Sequence, residues 1–188
     1  MSQLIRLVYA SQSNSPARAG SSDSVVATIL AQSRRNNSRD QLGGVLYFHN
    51  GFFFQCLEGE RSQVEAAYDR IRGDVRHREP RILRLQTVNR RLFEDWSMKF
   101  IPSDEDVAAF LGLKGIDEFR PYDFSEALID ELVMFFQHFQ LPVSAAEGMA
   151  GNPANRSFKA DLAAAAMDAK KAGFWGRMAD ALGLRKSA

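Results

Sequence analysis

GGVLYFHNGFFFQCLEG, residues 43–59, decides the fold of this chain. Two apolar runs flank Asn50-Gly51, a dipeptide that accepts the positive φ values of a two-residue hairpin turn. The second run is apolar almost throughout, so we expect both faces of its strand to be covered. In the first run, alternation predicts that two residues face one side, Leu46 and Phe48, and three the other, Val45, Tyr47 and His49.

Gln55 is the polar exception in the second run, and alternation places it on the same face as Phe53 and Leu57. Burying an unpaired carboxamide costs about 1–3 kcal/mol, so its donors and acceptor need partners. Either the protein supplies a polar partner, or Gln55 contacts a polar ligand lying on the sheet. The sequence pattern alone leaves both interpretations open.

Outward from this hairpin, helical and alternating patterns predict the order β-α-β-β-α-β-β. We expect an α+β, ferredoxin-like fold with a mixed five-stranded sheet and two helices on one face. The second helix begins with the capping box of Ser62 and Glu65 and ends near Gly73. Loops are expected over 11–22 and 74–79, and the other predicted elements are a first helix over 23–35 and strands over 4–9, 81–89 and 96–101.

Two more helices are predicted after the sheet, a short one capped by Ser103 and an apolar one over 125–140 that covers the bare sheet face. Residues 144–157 have the composition of a linker, and the Ala-rich remainder favours helix. We therefore predict a first domain over 1–101, a two-helix cap over 102–141 and a tail over 142–188. From Arg156 onward the tail holds seven Lys or Arg residues against three Asp. It is either a docking, self-association or surface-anchoring helix, or a segment that folds back or is partly disordered.

Composition is ordinary for a globular protein, with 188 residues, 45% hydrophobic residues and a formal net charge of +1. The near-neutral charge argues against nucleic acid as a partner. A single cysteine, Cys56, rules out an internal disulfide and a multi-cysteine metal site, and fits a reducing compartment. Neither a signal peptide nor a membrane-spanning run is predicted, so we expect a cytoplasmic protein.

Several polar residues stand out on the helices and loops. Ile29, Ser33 and Asn37 recur every four residues, so an apolar stripe becomes polar along one line of the first helix. Asn36 and Asn37 form either a C-cap pair or the hydrogen-bonding edge of a face that grips a flat ligand. Asp74 and His77 lie in a charged segment where no further residue completes a metal site, so no metal is predicted and a solvated loop is the default.

These features lie on different elements, and together they resemble the BLUF family of blue-light sensors that use FAD. The matching stretches follow one another over residues 3–101: LIRLVYAS, ILAQSRRNNSRDQLGGVLYF, GFFFQCLEGE, IRGDVRHREP and EDWSMKF. The helices over 103–140 resemble the cap of short BLUF proteins, and the tail lies outside the resemblance.

The resemblance implies a role for each matching residue. Tyr9 corresponds to the tyrosine that donates an electron to the excited flavin, and Gln55 to the glutamine whose hydrogen bonds rearrange after light absorption. Trp96 and Met98, otherwise ordinary core residues, correspond to a pair thought to exchange places near that glutamine. Flavin contacts are implied, with decreasing strength, for Asn37, Asn36, Ser33, Ile29, Leu46, Arg39, Asp74 and His77.

The implied function is a photoreceptor that binds FAD, has no enzymatic activity and oligomerises. After residue 101 only 87 residues remain, fewer than a usual cyclase or phosphodiesterase domain needs. We therefore expect a separate effector protein, reached through the 103–140 cap or the tail. The alternatives are an interaction module with a redox or temperature response or without flavin, and a flavoenzyme, for which His49 is the sole candidate acid or base.

Overall fold

A computed structural model of the chain describes residues 3–14, 21–102 and 104–139. The predicted order of elements is confirmed. The strands are β1 (Leu4–Ser13), β2 (Gly43–His49), β3 (Phe52–Glu60), β4 (His77–Thr87) and β5 (Lys99–Ile101). The helices are α1 (Ser21–Arg39), α2 (Arg61–Arg72), α3 (Asp104–Gly112) and α4 (Glu126–His138), with a short 3-10 helix at Pro121–Asp123.

The five strands form one mixed sheet in the order β4-β1-β3-β2-β5. The pairs within the first four strands are antiparallel, and β5 runs parallel to β2 at the edge. Asn50 and Gly51 turn the central hairpin with φ values of 53° and 79°, as predicted. The α+β, ferredoxin-like prediction with an added strand is therefore confirmed.

The two sheet faces have different coverings. Tyr9 and Leu46 both pair with Gln55 in the register, so these three residues share one face. Helices α1 and α2 cover this face, where Gly59 of β3 lies against Val64 of α2 and against Leu42, which follows α1. The opposite face carries Tyr47, whose ring centroid lies 5.5 Å from that of Phe136 in α4. The prediction that the apolar helix after the sheet covers this second face is thus confirmed.

Several predicted boundaries are wrong, each because a distant partner decides the local structure. Strand β1 continues to Ser13 because its polar end pairs with β4 residues, and the predicted 74–79 loop becomes strand from His77 for the same reason. At α2, Glu60 occupies the N-cap position without a side-chain cap bond, so the Ser62–Glu65 capping box is wrong. The helix does end at Gly73, as predicted.

The segment before β5 was predicted as strand from Trp96, but the strand begins at Lys99. The Trp96 carbonyl accepts the Gly44 amide, whereas the Ser97 and Met98 carbonyls accept side-chain donors from α1. Because helical side chains take the place of a neighbouring strand here, residues 96–98 form no ladder.

Strand β4 lies at the other edge of the sheet and is irregular. Its register with β1 shifts twice, and Glu79 has a φ of 50° just before Pro80. Tyr122 of the 3-10 helix donates to the Glu79 carbonyl over 2.7 Å. This hydrogen bond supplies a donor to a carbonyl group at the bulge.

The described residues as far as Gln137 belong to one compact unit. Within the described ranges, no helix is both long and apolar enough to cross a membrane. The apolar helix predicted over 125–140 spans Glu126–His138. The Ser103 cap and the tail over 142–188 fall outside the described residues. The domain boundaries at 101 and 141 therefore stay predictions.

Candidate functional site

Three buried side chains meet on the sheet face below α1 and α2: Tyr9 from β1, Gln55 from β3 and Met98 from the loop before β5. Tyr9 of β1 donates its phenolic hydroxyl to Oε1 of Gln55 on β3. Gln55 Nε2 in turn donates to Sδ of Met98, 3.6 Å away. All three side chains are at most 1% exposed. The register makes Tyr9 and Gln55 direct cross-strand neighbours, which brings phenol and carboxamide together.

This arrangement fixes the orientation of the Gln55 carboxamide. Its oxygen accepts from a phenol and its nitrogen donates to a thioether, a weak acceptor. Burial raises the pKa of Tyr9 above its ordinary value, so the phenol stays protonated and remains a donor. A half-turn of the carboxamide would exchange donor and acceptor with little movement of other atoms, so Gln55 can act as a two-position element.

Helix α1 supplies one wall of a cleft above these residues. Ile29, Ser33, Asn36 and Asn37 all line it. The helix continues to Arg39, so the interpretation of the two asparagines as a C-cap pair is wrong. Asn37 is 4% exposed, and its Nδ2 donates to the Ser97 carbonyl over 2.7 Å. The amide oxygen of Asn37 provides an acceptor in a wall that is otherwise partly apolar.

Helix α2 and the start of β4 supply the opposite wall, where the structure places Asp74 and His77. Asp74 pairs with Arg76, and the resulting hydrogen bonds lower the pKa of the Asp74 carboxyl. His77 Nδ1 lies 2.8 Å from the Ser11 hydroxyl. Burial lowers the pKa of His77 to about 4, so its imidazole is neutral at pH 7.

Sequence reasoning missed five residues of the cleft: Gln32, Ala67, Arg70, Ile71 and Arg76. Helical spacing from Ala67 does place Ile71 on one face, but an apolar helix face is typical of core packing and does not by itself indicate a ligand site. Arg76 lies between the two residues already chosen from its loop, Asp74 and His77. Its guanidinium also donates to Gln32 Oε1 over 2.5 Å, which connects the two walls.

The remaining predicted residues lie away from the cleft lining. Leu46 is fully buried beside Gln55 on the sheet. The exposed Arg39 side chain pairs with Asp40 over 2.7 Å. Trp96 is partly exposed, whereas Met98 is the member of the pair in contact with Gln55.

The cleft has a volume of about 530 Å³, counting its open mouth. Apolar and amide side chains line the cleft together with two arginines, Arg70, which pairs with Asp40, and Arg76, which pairs with Asp74. A flavin dinucleotide has a flat ring with one polar edge and a pair of phosphates, so the residues present fit it. Among the described residues no His, Cys, Asp and Glu group could hold a metal ion.

Comparisons with known proteins agree with this chemistry. Residues 4–99 match the family model described as "BLUF: Sensors of blue-light using FAD". The photoactivated adenylate cyclase subunit beta of Euglena gracilis is 29% identical over 114 residues, which are 60% of this chain. The match spans only 13% of that cyclase.

Two solved structures are similar to this chain over most of their own length. BlsA in its photo-activated state has a TM-score of 0.66 and 29% identity, over 71% of this chain and 94% of the other. BlrB, a BLUF protein in its dark state, has a TM-score of 0.56 and 29% identity, over 72% and 98% of the two chains.

Proposed function

The chain belongs to the BLUF family of blue-light sensors, and from that membership we propose that it binds FAD in the cleft between α1 and α2 and reports illumination to a separate protein. The observation that carries the proposal is the run of hydrogen bonds from Tyr9 through Gln55 to Met98, in which Tyr9 and Gln55 line the cleft. A bound flavin supplies the absorption of blue light and accepts an electron when excited.

The residues of the chain have distinct parts in this proposal. Asn37 binds the polar edge of the ring, with Asn36 beside it, while Ile29 and Ser33 contact its face. Arg70 and Arg76 donate to the phosphates in addition to their pairs with Asp40 and Asp74. The Tyr9 phenol is the electron donor and holds Gln55 in its dark orientation. After illumination the Gln55 carboxamide reverses its donor and acceptor ends, and Met98 loses its hydrogen bond.

The choice of FAD as the flavin is supported by Arg70 and Arg76, which line the same cleft as the amides and whose guanidinium groups suit a diphosphate. We propose that the effector is a separate protein. We propose that the chain itself turns over no substrate and forms oligomers. The partner binds either the α3–α4 cap or the tail.

An absorption spectrum of the purified protein, in darkness and then in blue light, tests the function. We expect a flavin spectrum that shifts slightly to longer wavelength and recovers in darkness. Acid release followed by mass measurement identifies the cofactor as FAD. Flavin that only bleaches, or folded protein without flavin, would contradict the proposal.

Substitution of Gln55 tests the site. In Gln55→Leu, flavin stays bound because the cleft walls are intact, but the reversible shift is lost because leucine neither donates nor accepts. Gln63→Leu, an exposed change on α2, serves as the matched control and keeps the shift. A normal photocycle in Gln55→Leu would overturn the role given to this residue.

A further inference from the structure

The last residue before β5 and the first residue of β5, Met98 and Lys99, contact opposite faces of the sheet. Met98 contacts Gln55 on the face below α1 and α2. Lys99 follows it directly, and its side chain lies on the opposite face, as strand alternation requires. There its Nζ donates to two backbone carbonyls of α4, those of Phe136 at 2.9 Å and Gln137 at 3.0 Å.

The Lys99 ammonium is an unusual buried charge. The side chain is 4% exposed, and burial lowers its pKa to about 8. Within the described ranges no carboxylate forms a salt bridge with it. The aromatic ring of Trp96 lies 5.8 Å away. The buried charge of Lys99 is also stabilised by the C-terminal end of α4, where unpaired carbonyls carry the negative end of the helix dipole. The ammonium and the helix end therefore stabilise each other.

Few bonds hold β5 in place. The strand has three residues and pairs with β2 alone, at the edge of the sheet. Just before it, Arg34 Nε donates to the Met98 carbonyl over 3.1 Å, and Asn37 to the Ser97 carbonyl. A segment bound by side chains at one end and a short edge strand at the other can shift more easily than a central strand.

We propose that Lys99 is the positioning residue through which a rearrangement at Gln55 reaches the last turn of α4. This inference rests on the proposed function and adds the group that carries the change across the sheet. When Met98 loses its partner, β5 shifts, the Lys99 ammonium leaves the Phe136 and Gln137 carbonyls, and the end of α4 loosens. The photosite and the end of α4 are thereby coupled through one side chain.

Hydrogen exchange of the full chain, in darkness and under steady blue light, tests the inference. In the unaltered protein we expect amides in the last two turns of α4 to exchange roughly tenfold faster in the light, the effect of losing a hydrogen bond to a charged donor. In Lys99→Met the absorption shift persists, because the photosite is intact, but the light-dependent difference in α4 disappears. A difference that persists in Lys99→Met would overturn the proposal.

A matched control removes another lysine that contacts α4. Lys114 pairs with Glu131 on the surface of that helix, so Lys114→Met loses one ion pair but leaves the helix end unchanged. It should retain both the absorption shift and the exchange difference. Loss of the exchange difference in this variant as well would contradict a specific role for Lys99.

A second measurement needs no substitution. In protein labelled with nitrogen-15 at lysine, the Lys99 ammonium signal should change on illumination, and an unchanged signal would overturn the proposal even if Lys99→Met failed to fold. Failure of the proposed function can be distinguished from failure of this inference, because in the first case the unaltered protein would lack the absorption shift itself. That outcome would remove this inference along with the function.

Discussion

Glu58 offers the sharpest test of how this fold holds its photosite together. The side chain is fully buried on β3, three residues beyond Gln55. Its Oε1 accepts from Arg6 Nε at 2.5 Å, and its Oε2 accepts the amides of Leu92 and Phe93 at 2.7 and 3.0 Å. One carboxylate thus fixes the loop that leads to Trp96 and Met98.

We expect Glu58→Gln to destabilise the protein markedly. A glutamine of the same shape has one oxygen and one NH₂ group, so it must direct its NH₂ at either the guanidinium or the two amides. Removing one partner of a buried ion pair costs about 3–5 kcal/mol. Arg6 is 14% exposed and keeps some hydration, so the low end, about 3 kcal/mol, applies. For a chain of this size Tm should fall by about 6–12 °C.

Urea and thermal unfolding of the purified protein measure this cost. The control is Glu65→Gln, where an exposed carboxylate pairs with Arg61 one turn away on α2. That change should cost less than about 0.5 kcal/mol. A double-mutant cycle with Arg6→Met gives the energy of the Glu58–Arg6 pair itself. A Glu58→Gln variant within 1 kcal/mol of the unaltered protein, on the same order as ordinary surface changes, would refute the reasoning.

Two further predictions concern acid stability and the photocycle. His77 has a pKa of about 4 in the folded protein, below its ordinary 6.5. The contribution of the neutral His77 ring to the free energy of unfolding is complete above pH 6.5. It is lost as the pH falls towards 4, by up to about 3 kcal/mol. Unfolding free energies measured from pH 7 to 4 should therefore fall less steeply in His77→Gln, and parallel curves would contradict the assignment. Arg34→Met removes the donor to the Met98 carbonyl. We expect the dark-recovery rate, followed by absorption, to change roughly fivefold or more, the equivalent of one hydrogen bond. Arg35→Met, an exposed neighbour, should leave the rate unchanged, and equal rates in both variants would exclude Arg34 from positioning Met98.

The parts of the fold that depend on local chemistry could be predicted from the sequence. The hairpin around Asn50-Gly51 was predicted correctly because a two-residue turn leaves its mark on two adjacent residues. The helices of the cap were predicted because their apolar faces repeat at helical spacing. The proximity of Tyr9 and Gln55 was implied by the family resemblance rather than by the pattern of either strand, and the structure does bring the two side chains into contact.

Features that depend on distant partners could not be predicted. The polar end of β1 at Ser11–Ser13 has the composition of a loop, and it becomes strand because β4 pairs with it. Asn37 was considered as a helix cap, but it binds a carbonyl sixty positions away in sequence. Lys99 lies between two apolar residues, Met98 and Phe100, and its partners are α4 carbonyls that no local pattern indicates.

The irregular strand β4 has a consequence for how the protein behaves at high concentration. An exposed, regular edge strand offers its free amides and carbonyls to another chain and so promotes aggregation by sheet extension. Here Pro80 removes a donor and the bulge at Glu79 bends the edge, while the other edge, β5, is three residues long. Both edges of the sheet are therefore poor templates for the addition of a strand from another chain. We expect copies of this protein that associate to do so through helices or loops, and to remain soluble rather than extend into fibrils.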